Sequence, residues 1–281
     1  MPWRIKLGRF ARSIFPGFDL YGKMRALLGR SMTIRVMGKV LHADLDSGFA
    51  GTLYQEGVWE PYETAFLLGS LKEGMVFVDV GANVGYYTIL ASELVGRSGK
   101  VFAFEPDGRN FSLLEQNIKE NRCGNVVAIQ KAVSDATGKL RLYRSTSNFG
   151  DHRTYAAWGE ASPPSRLIEA TSLDDFFSSG ARIDFVKVDI QGAEYVAFAG
   201  MKRVLQENHD IILLLEFTPV LLSEAGASPL QFLQELRHSG FVIYTLLEHK
   251  PREASDAEIL NIHTGREFNL VISRKPLSGT C

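Results

Sequence analysis

VFVDVGANVG, from Val76 to Gly85, is the stretch that decides the fold of this 281-residue chain. The apolar residues Met75–Val80 predict a buried strand, and Tyr86–Val95 predict a helix that ends before the next glycine. Gly81 and Gly85 permit a tight turn between the two, because glycine has no Cβ to clash. A strand, turn and helix of this kind bring bare backbone close to a ligand, so the sequence predicts a nucleotide-sized crevice here.

A second apolar strand, VFAFEP at Val101–Pro106, follows the helix and ends in Glu105. In dinucleotide-type folds an acidic side chain at this position accepts hydrogen bonds from the ribose hydroxyls. The strand end therefore predicts an adenosine ligand, with Glu105 and the adjacent Pro106 in contact with it.

The turn itself indicates which adenosine ligand fits. A dinucleotide fingerprint, GxGxxG, needs a second glycine where the pyrophosphate touches the main chain, but this chain has Asn83 there. Asp79, two residues before Gly81, places a carboxylate in the crevice, which repels phosphate and favours a cationic amino acid or sulfonium group. We therefore predict S-adenosylmethionine as the cofactor, with Asp79, Gly81, Asn83 and Gly85 among its binding residues.

Three motifs together resemble one family. VDVGANVGYYT at Val78–Thr88, FEP at Phe104–Pro106 and KVDIQGAE at Lys187–Glu194 are similar to the FkbM-type methyltransferases, a branch of the class I S-adenosylmethionine-dependent enzymes. The resemblance covers about Trp59 to Ser273. It implies an O-methyltransferase that acts on a hydroxyl of a sugar, glycan or secondary metabolite. It also implies that WEPYE, at Trp59–Glu63, lies near the cofactor, with Glu63 as a contact; exposed acids at a helix start are the alternative.

The pattern of apolar runs predicts an α/β fold, a Rossmann-like, mostly parallel, doubly wound sheet of seven strands. The last strand is predicted to be antiparallel, because only residues 253–266 separate it from the strand before. We divide the chain into a basic N-terminal extension with a β-hairpin, residues 1–58, and a methyltransferase domain, residues 59–281. The predicted strands are Val76–Val80, Val101–Phe104, Val126–Gln130, Phe185–Asp189, Ile211–Glu216, Phe241–Leu246 and Phe268–Ser273.

The composition is that of an ordinary soluble protein, with 45% hydrophobic and 22% charged residues and a net charge of −1. Two cysteines, Cys123 and Cys281, are too few for a disulfide framework or a cysteine-rich zinc site. We expect a cytoplasmic protein without a signal peptide or transmembrane segment.

The N-terminal segment carries most of the positive charge. Residues 1–39 hold nine Lys or Arg and one acid, which gives +8 and leaves −9 for the remainder of the chain. Apolar residues recur at helical spacing within residues 1–30, which predicts an amphipathic helix. Such a helix either makes peripheral contact with an anionic membrane or, as we favour, caps the domain or contributes to a homodimer.

Asp189 is the best candidate for the chemistry, because it ends an apolar strand at the crevice and Gly192 follows it. A methyl acceptor hydroxyl must lose a proton, so a carboxylate near the methyl group is expected. Asp189 is also predicted to contact the cofactor, and capping of the next helix is the alternative. Lys187, a further catalytic candidate, points to the same face and needs Asp189 or Glu216 as a partner. Glu216 and Asp189 together are a possible but not favoured site for a divalent cation, so we assign no metal ligand.

Residues 138–170 interrupt the alternation of strands and helices, and we interpret them as a substrate-side flap. His152 in this flap is a further candidate for the general base, although a lone loop histidine is more often solvated. Ala132 and Val133 follow the third strand, where the adenine is expected; core packing explains these two residues equally well.

Two other functions remain open from the sequence. A nucleic-acid methyltransferase is disfavoured, because the chain has no basic surface outside its N-terminus and no NPPY-like base-pocket motif. The second is a non-catalytic adenosine-binding module that attaches to a membrane or a partner through its N-terminal arm. We favour a small-molecule or glycan substrate and no nucleic acid.

Overall fold

A computed structural model describes residues 31–44, 48–143, 152–156, 165–248, 250–262 and 268–277. The amphipathic helix predicted within residues 1–30 lies outside the described residues. None of the helices in the described part of the chain has the length and apolar character that a bilayer-spanning helix needs.

The strands match the predicted positions closely. In chain order they are β1 Ser31–Val36, β2 Lys39–Asp44, β3 Val76–Val80, β4 Lys100–Phe104, β5 Val126–Ile129, β6 Ala132–Val133, β7 Gly138–Tyr143, β8 Ser165–Thr171, β9 Phe185–Val188, β10 Ile212–Glu216, β11 Val242–Thr245, β12 Arg252–Glu253 and β13 Asn269–Ser273.

Helices alternate with these strands. They are α1 Gly48–Glu56, α2 Pro61–Ser70, α3 Tyr86–Val95, α4 Gly108–Glu120, α5 Leu173–Phe176, α6 Glu194–Ala199, α7 Lys202–Glu207, α8 Pro219–Glu224, α9 Pro229–His238 and α10 Asp256–Leu260. Asp107 begins α4 by accepting hydrogen bonds from the backbone N–H groups of Arg109 and Asn110, as expected for an aspartate at an N-cap.

The main sheet has the order β12-β11-β13-β10-β9-β3-β4-β5. β3, β4, β5, β9 and β10 run parallel, whereas β13 is antiparallel to both of its neighbours. The predicted α/β fold with an antiparallel last strand is confirmed. The two-residue strand β12 extends the predicted seven strands to eight at one edge.

Alternate residues of the central strands pack into two separate cores, one on each face of the sheet. Val78, Val80 and Val186 face the core covered by α6 to α9, while Phe77 and Phe185 face the core covered by α1 to α3. This period of two, with burial on both faces, is what a doubly wound sheet requires.

The N-terminal hairpin of β1 and β2 is held by Asn117 of α4 and by Asn121, the C-cap residue that follows this helix. Asn117 accepts a hydrogen bond from the backbone N–H of His42 at 2.7 Å and donates to its carbonyl at 2.9 Å. Asn121 makes the same pair of bonds with Val40, at 3.0 and 2.7 Å. Each amide therefore substitutes for a residue of a neighbouring strand.

The hairpin and α1 also share the core of the domain. Ile34, Leu41 and Leu53 are buried together with Phe77 of the main sheet. Helix α1 was not predicted, because Gly48–Glu56 contains two glycines, which weaken a helical pattern. The boundary at residue 58 stays a prediction, although this packing joins both sides of it.

The predicted flap contributes a small separate sheet. β7 and β8 pair antiparallel and β6 joins β8 in parallel, giving the order β6-β8-β7. Residues 152–156 also lie in the described part of the flap, and the backbone of Arg153 bridges to Tyr143.

Candidate active site

A cavity of about 280 Å³ opens at the carboxyl ends of β3, β4, β9 and β10. Ligands of open α/β sheets bind at this edge, where the connections leave the strands on opposite faces. Ten of the predicted site residues line it: Asp79, Gly81, Asn83, Glu105, Pro106, Ala132, Val133, His152, Lys187 and Asp189.

Gly81 brings the first motif against the KVDIQGAE segment, backbone to backbone. Its φ is +84°, and a Cβ at this position would lie 1.9 Å from the carbonyl oxygen of Asp189. The N–H of Asp189 in turn donates to the carbonyl of Val80 at 3.0 Å. Only glycine fits here, because any side chain would collide with main-chain atoms that have no alternative position.

Glu105 holds the turn that follows β3. Its Oε2 accepts from the backbone N–H of Asn83 and its Oε1 from that of Asp107, both at 2.9 Å. Burial raises the pKa of Glu105 to about 8, although the two backbone donors oppose the shift. The carboxyl group thus orders the loop and faces the cavity at the same time.

Asp79 presents an unsatisfied acceptor to the cavity. Its Oδ2 accepts from the hydroxyl of Thr88 at 2.6 Å, but its buried Oδ1 has no hydrogen-bond partner among the described residues. Burial raises the pKa of Asp79, and the nearby Lys187 ammonium opposes that rise. A buried carboxylate oxygen without a partner is costly, and a bound cation or donor would remove the cost.

Lys187 lies fully buried within β9, at the centre of a group of acids. Its Nζ donates to Asp189 Oδ2 at 2.8 Å and sits 4.7 Å from the centre of the Tyr87 ring. Burial alone would lower the pKa of Lys187, but Asp189, Glu60 and Asp79 raise it above the ordinary value. Lys187 is therefore an ammonium group at neutral pH and cannot accept a proton; it fixes and balances the acids around it.

The side-chain amide of Gln191 links the carboxylates of Asp189 and Glu216. Gln191 Nε2 donates to Asp189 Oδ1 at 3.2 Å and to both carboxylate oxygens of Glu216, at 3.1 and 3.0 Å. Burial acts to raise the pKa of Asp189, but Lys187 and these hydrogen bonds outweigh it and lower the pKa. Asp189 and Glu216, the two carboxylates of the possible cation site, already accept hydrogen bonds from the Gln191 amide, and Asp189 also accepts one from the Lys187 ammonium. No cluster of His, Cys, Asp or Glu side chains that could hold a metal ion was found in the part of the chain that the structure describes.

The model of the FkbM methyltransferase domain matches residues 79–243 of this sequence, which is more than half of the chain. The chain belongs to the FkbM methyltransferase family. The matched residues include β4, β9, β10 and the carboxyl end of β3, and the ends of these four strands form the cavity.

Two characterised relatives are similar to this FkbM chain. The hexuronic acid methyltransferase AglP of Haloferax volcanii is 29% identical over 149 residues, covering 52% of this chain and 58% of AglP. The 2-O-methyltransferase NoeI of Sinorhizobium fredii is 26% identical over 181 residues, covering 59% of this chain and 72% of NoeI. Among solved structures, a SAM-dependent O-methyltransferase of Thermotoga maritima aligns with 88% of this chain and 78% of its own, at 16% identity and a TM-score of 0.45.

Two predicted cofactor residues, Gly85 and Glu63, are not part of the cavity wall. Gly85 has a φ of +92°, and a Cβ there would lie 2.6 Å from Leu114 Cδ1, so this glycine permits close packing of α3 against α4. Glu63 is buried and accepts a hydrogen bond from Asn269 Nδ2 at 3.2 Å. A direct contact between either residue and a ligand stays a prediction.

The flap places His152 in the cavity wall and Tyr155 against the loop that follows Asp189. His152 is buried with its Nε2 4.0 Å from Asp107 Oδ2, beside the end of β4 where Glu105 lies. The Tyr155 hydroxyl donates to the carbonyl of Gln191 at 2.9 Å, next to Asp189. A role of His152 as general base stays a prediction, and the geometry brings Tyr155 closer than His152 to the Asp189 loop.

Glu194 ties this loop to the start of α6. Its Oε1 accepts from the backbone N–H groups of Ile190 and Gly192, at 3.0 and 3.1 Å. Burial raises the pKa of Glu194 to about 7, against the lowering effect of those donors. Glu194 therefore holds the loop through these two backbone hydrogen bonds, in addition to its position in the first turn of α6.

Three residues that line the cavity were not assigned a contact of their own from the sequence: Glu60, placed near the cofactor only as part of WEPYE, and Tyr87 and Gln191. Tyr87 stands in the first turn of α3, and its hydroxyl donates to Glu60 Oε2 at 2.6 Å. The signals in the sequence were WEPYE for Glu60, the repeated tyrosines of VGYYT for Tyr87, and the position between Asp189 and Gly192 for Gln191.

We predict that the ligand-free protein loses stability as the pH rises from 5 to 8. Glu105 binds its proton more tightly in the folded state, because its pKa is about 8 when folded and 4.5 in the unfolded reference. The loss for this one group is of the order of a few kcal/mol. Urea unfolding at pH 6 and pH 8 measures this loss. The free energy of unfolding of Glu105→Gln should differ less between the two pH values than that of the wild type. The exposed Glu115→Gln should behave as the wild type, and equal pH slopes for all three proteins would contradict the prediction.

Proposed function

We propose that this chain is an S-adenosylmethionine-dependent O-methyltransferase that acts on a hydroxyl of a sugar or glycan. The observation that carries the proposal is Asp79 in the cavity wall beside the Gly81 turn, whose buried Oδ1 has no hydrogen-bond partner among the residues that the structure describes. A carboxylate there suits a sulfonium or ammonium group and opposes a diphosphate.

The cofactor-binding residues follow from this placement. Glu105 offers the carboxylate for the ribose, Ala132 and Val133 offer an apolar surface for the adenine, and Asp79 offers the counter-charge. Gly81 and Asn83 present backbone along the turn, because both have a positive φ, of 84° and 52°. When bound, S-adenosylmethionine supplies an electrophilic methyl group on its sulfonium.

The acceptor side is proposed to lie around Asp189 and Glu216. Three aromatic rings, those of Phe49, Trp59 and Tyr86, cluster on the same wall, with Phe49 5.1 Å from Trp59 and 6.0 Å from Tyr86. Rings beside carboxylate and amide groups suit a sugar, which has apolar C–H faces and hydroxyl edges. The names of the two relatives, a hexuronic acid methyltransferase and a 2-O-methyltransferase, support the same class.

Asp189 is proposed to accept the proton of the attacking hydroxyl. Its lowered pKa is no obstacle, because an alcohol oxygen becomes strongly acidic as it bonds to a methyl group. Lys187 keeps Asp189 ionised and oriented through the 2.8 Å contact. Holding the acceptor in line and excluding water then account for the remaining acceleration.

The test is methyl transfer with S-adenosylmethionine labelled at the methyl group. The purified protein is incubated with neutral glycans, uronic acid-containing glycans and total RNA, and label in each product is counted. Label in a glycan supports the proposal. Label in RNA alone favours a nucleic-acid methyltransferase, and lack of S-adenosylmethionine binding by calorimetry would overturn the proposal in all its forms.

We predict that Glu105→Ala weakens S-adenosylmethionine binding by about 1–3 kcal/mol, through the lost ribose hydrogen bonds. Isothermal titration calorimetry at pH 8.5 measures the change, with exposed Glu115→Ala as the control. Unchanged affinity of the Glu105 variant would refute the ribose assignment.

A further inference from the structure

Glu60 is a cavity-wall acid that the contacts proposed above do not use. It directly precedes α2, with φ 42° and ψ 75°, and its side chain makes no cap to that helix. Residues other than glycine are strained in this left-handed region, and such strain persists only where the surroundings enforce it. The chain thus keeps an acid in an unfavourable backbone conformation at the edge of the site.

Neighbouring hydroxyls enforce this conformation. The Thr64 hydroxyl donates to the carbonyl of Trp59 at 2.6 Å, and the backbone N–H of Thr64 donates to the carbonyl of Glu60 at 2.8 Å. The Tyr87 hydroxyl donates to Glu60 Oε2 at 2.6 Å. Burial raises the pKa of Tyr87 well above its ordinary value, so it stays a neutral donor. The carboxyl group of Glu60 is therefore fixed in place, with Oε1 free of hydrogen bonds to the described residues.

The charges around Glu60 favour a cation. Burial raises the pKa of Glu60 to about 7; Lys187 opposes this, Asp189 and Glu63 add to it, and the Tyr87 hydrogen bond lowers it. The single neighbouring cation in this set, Lys187, already donates to Asp189. A second positive group in the cavity would stabilise the ionised form of Glu60.

The position of Glu60 indicates which positive group this is. Glu105 ends β4, whereas Lys187 and Asp189 belong to the end of β9, with β3 between these two strands. If the adenosine lies at Glu105, as the proposed function holds, then the amino-acid end of the cofactor lies towards Lys187. Asp189 uses both of its oxygens there, for Lys187 and Gln191, whereas Glu60 has one oxygen free.

We infer that Glu60 binds the α-ammonium group of the cofactor's amino-acid end. The residue thereby selects cofactors that carry this group, and Tyr87 positions it for the contact. The inference rests on the proposed function.

Ligand truncation tests it. Calorimetry measures the affinity of the full-length protein and of Glu60→Gln for S-adenosylhomocysteine and for 5′-methylthioadenosine, which lacks the amino-acid end. Glu60→Gln should bind S-adenosylhomocysteine about 10- to 100-fold more weakly, the range for a lost hydrogen bond between charged groups. Its affinity for 5′-methylthioadenosine should equal that of the wild type. Glu56→Gln, an exposed acid at the end of α1, is the matched control and should change neither affinity.

Each other outcome overturns the inference in a distinct way. Equal losses of affinity for both ligands would show that Glu60 only supports the fold of the cavity wall. Unchanged affinity for both ligands would remove Glu60 from cofactor binding while leaving the proposed function intact. A wild-type protein that binds neither ligand would overturn the proposed function and this inference together.

Discussion

Gly81→Ala is expected to lower the free energy of unfolding by more than about 4 kcal/mol and to abolish cofactor binding. The added Cβ would lie 1.9 Å from the Asp189 carbonyl oxygen and 3.0 Å from its carbonyl carbon. To relieve this collision, β3 and β9 must move apart at the point where the VDVGANVGYYT and KVDIQGAE motifs meet. Because these strands pair along their length, the displacement would open the cavity as well as weaken the sheet.

Gly226→Ala is the matched control for this variant. Gly226 has a φ of +85°, one degree from that of Gly81, but no atom lies within 4 Å of its would-be Cβ. This variant should show only the left-handed strain of an alanine, about 1–2 kcal/mol. Urea unfolding of both variants distinguishes the cost of backbone strain from the cost of the steric collision. Equal losses in the free energy of unfolding would contradict the role assigned to Gly81.

Asp189→Asn is expected to reduce turnover by about 10²- to 10⁴-fold, the usual contribution of a proton-accepting group. The affinity for S-adenosylmethionine should fall much less, because the proposed cofactor contacts lie on other residues. Calorimetry and methyl transfer to the acceptor identified above provide the two measurements. Equal losses of turnover and affinity would move Asp189 from the chemistry to binding.

The same substitution removes the counter-charge of a buried lysine, so its stability must be measured too. Asp210→Asn is the control, since Asp210 pairs with Lys275 at 2.6 Å on the surface, with both side chains more than two-thirds exposed. Breaking that surface pair should cost less than about 1 kcal/mol. Breaking the buried Lys187–Asp189 pair should cost about 3–5 kcal/mol. Turnover is therefore compared at a temperature where Asp189→Asn is still folded.

The sequence was sufficient for those parts of the fold that local patterns determine. Apolar runs located seven of the eight strands of the main sheet. Asp107 and Ser228 begin their helices through side-chain hydrogen bonds to the backbone, which aspartate and serine favour at this position. The short polar segment before β13 correctly indicated an antiparallel last strand. Each of these features depends on residues close together in the chain.

Contacts between distant segments were not predictable from one sequence. The glycines of the first motif were expected to approach a ligand, but Gly81 faces Asp189 and Gly85 faces Leu114. Within WEPYE the spacing alone could not distinguish Glu60 from Glu63, because the positive φ that turns Glu60 towards the cavity depends on tertiary contacts. Gln191 likewise has a positive φ, which the sequence did not indicate.

Asn117 of α4 and its C-cap residue Asn121 have a consequence for how this chain avoids self-association. An exposed strand edge is a template on which another polypeptide can add a strand. Asn117 and Asn121 occupy both the donor and the acceptor of His42 and Val40, so the outward-facing hydrogen-bonding groups of β2 at these residues are already saturated. Leucine at the two positions would preserve a helical α4 yet uncover that template, which makes the pair a safeguard against edge-to-edge aggregation.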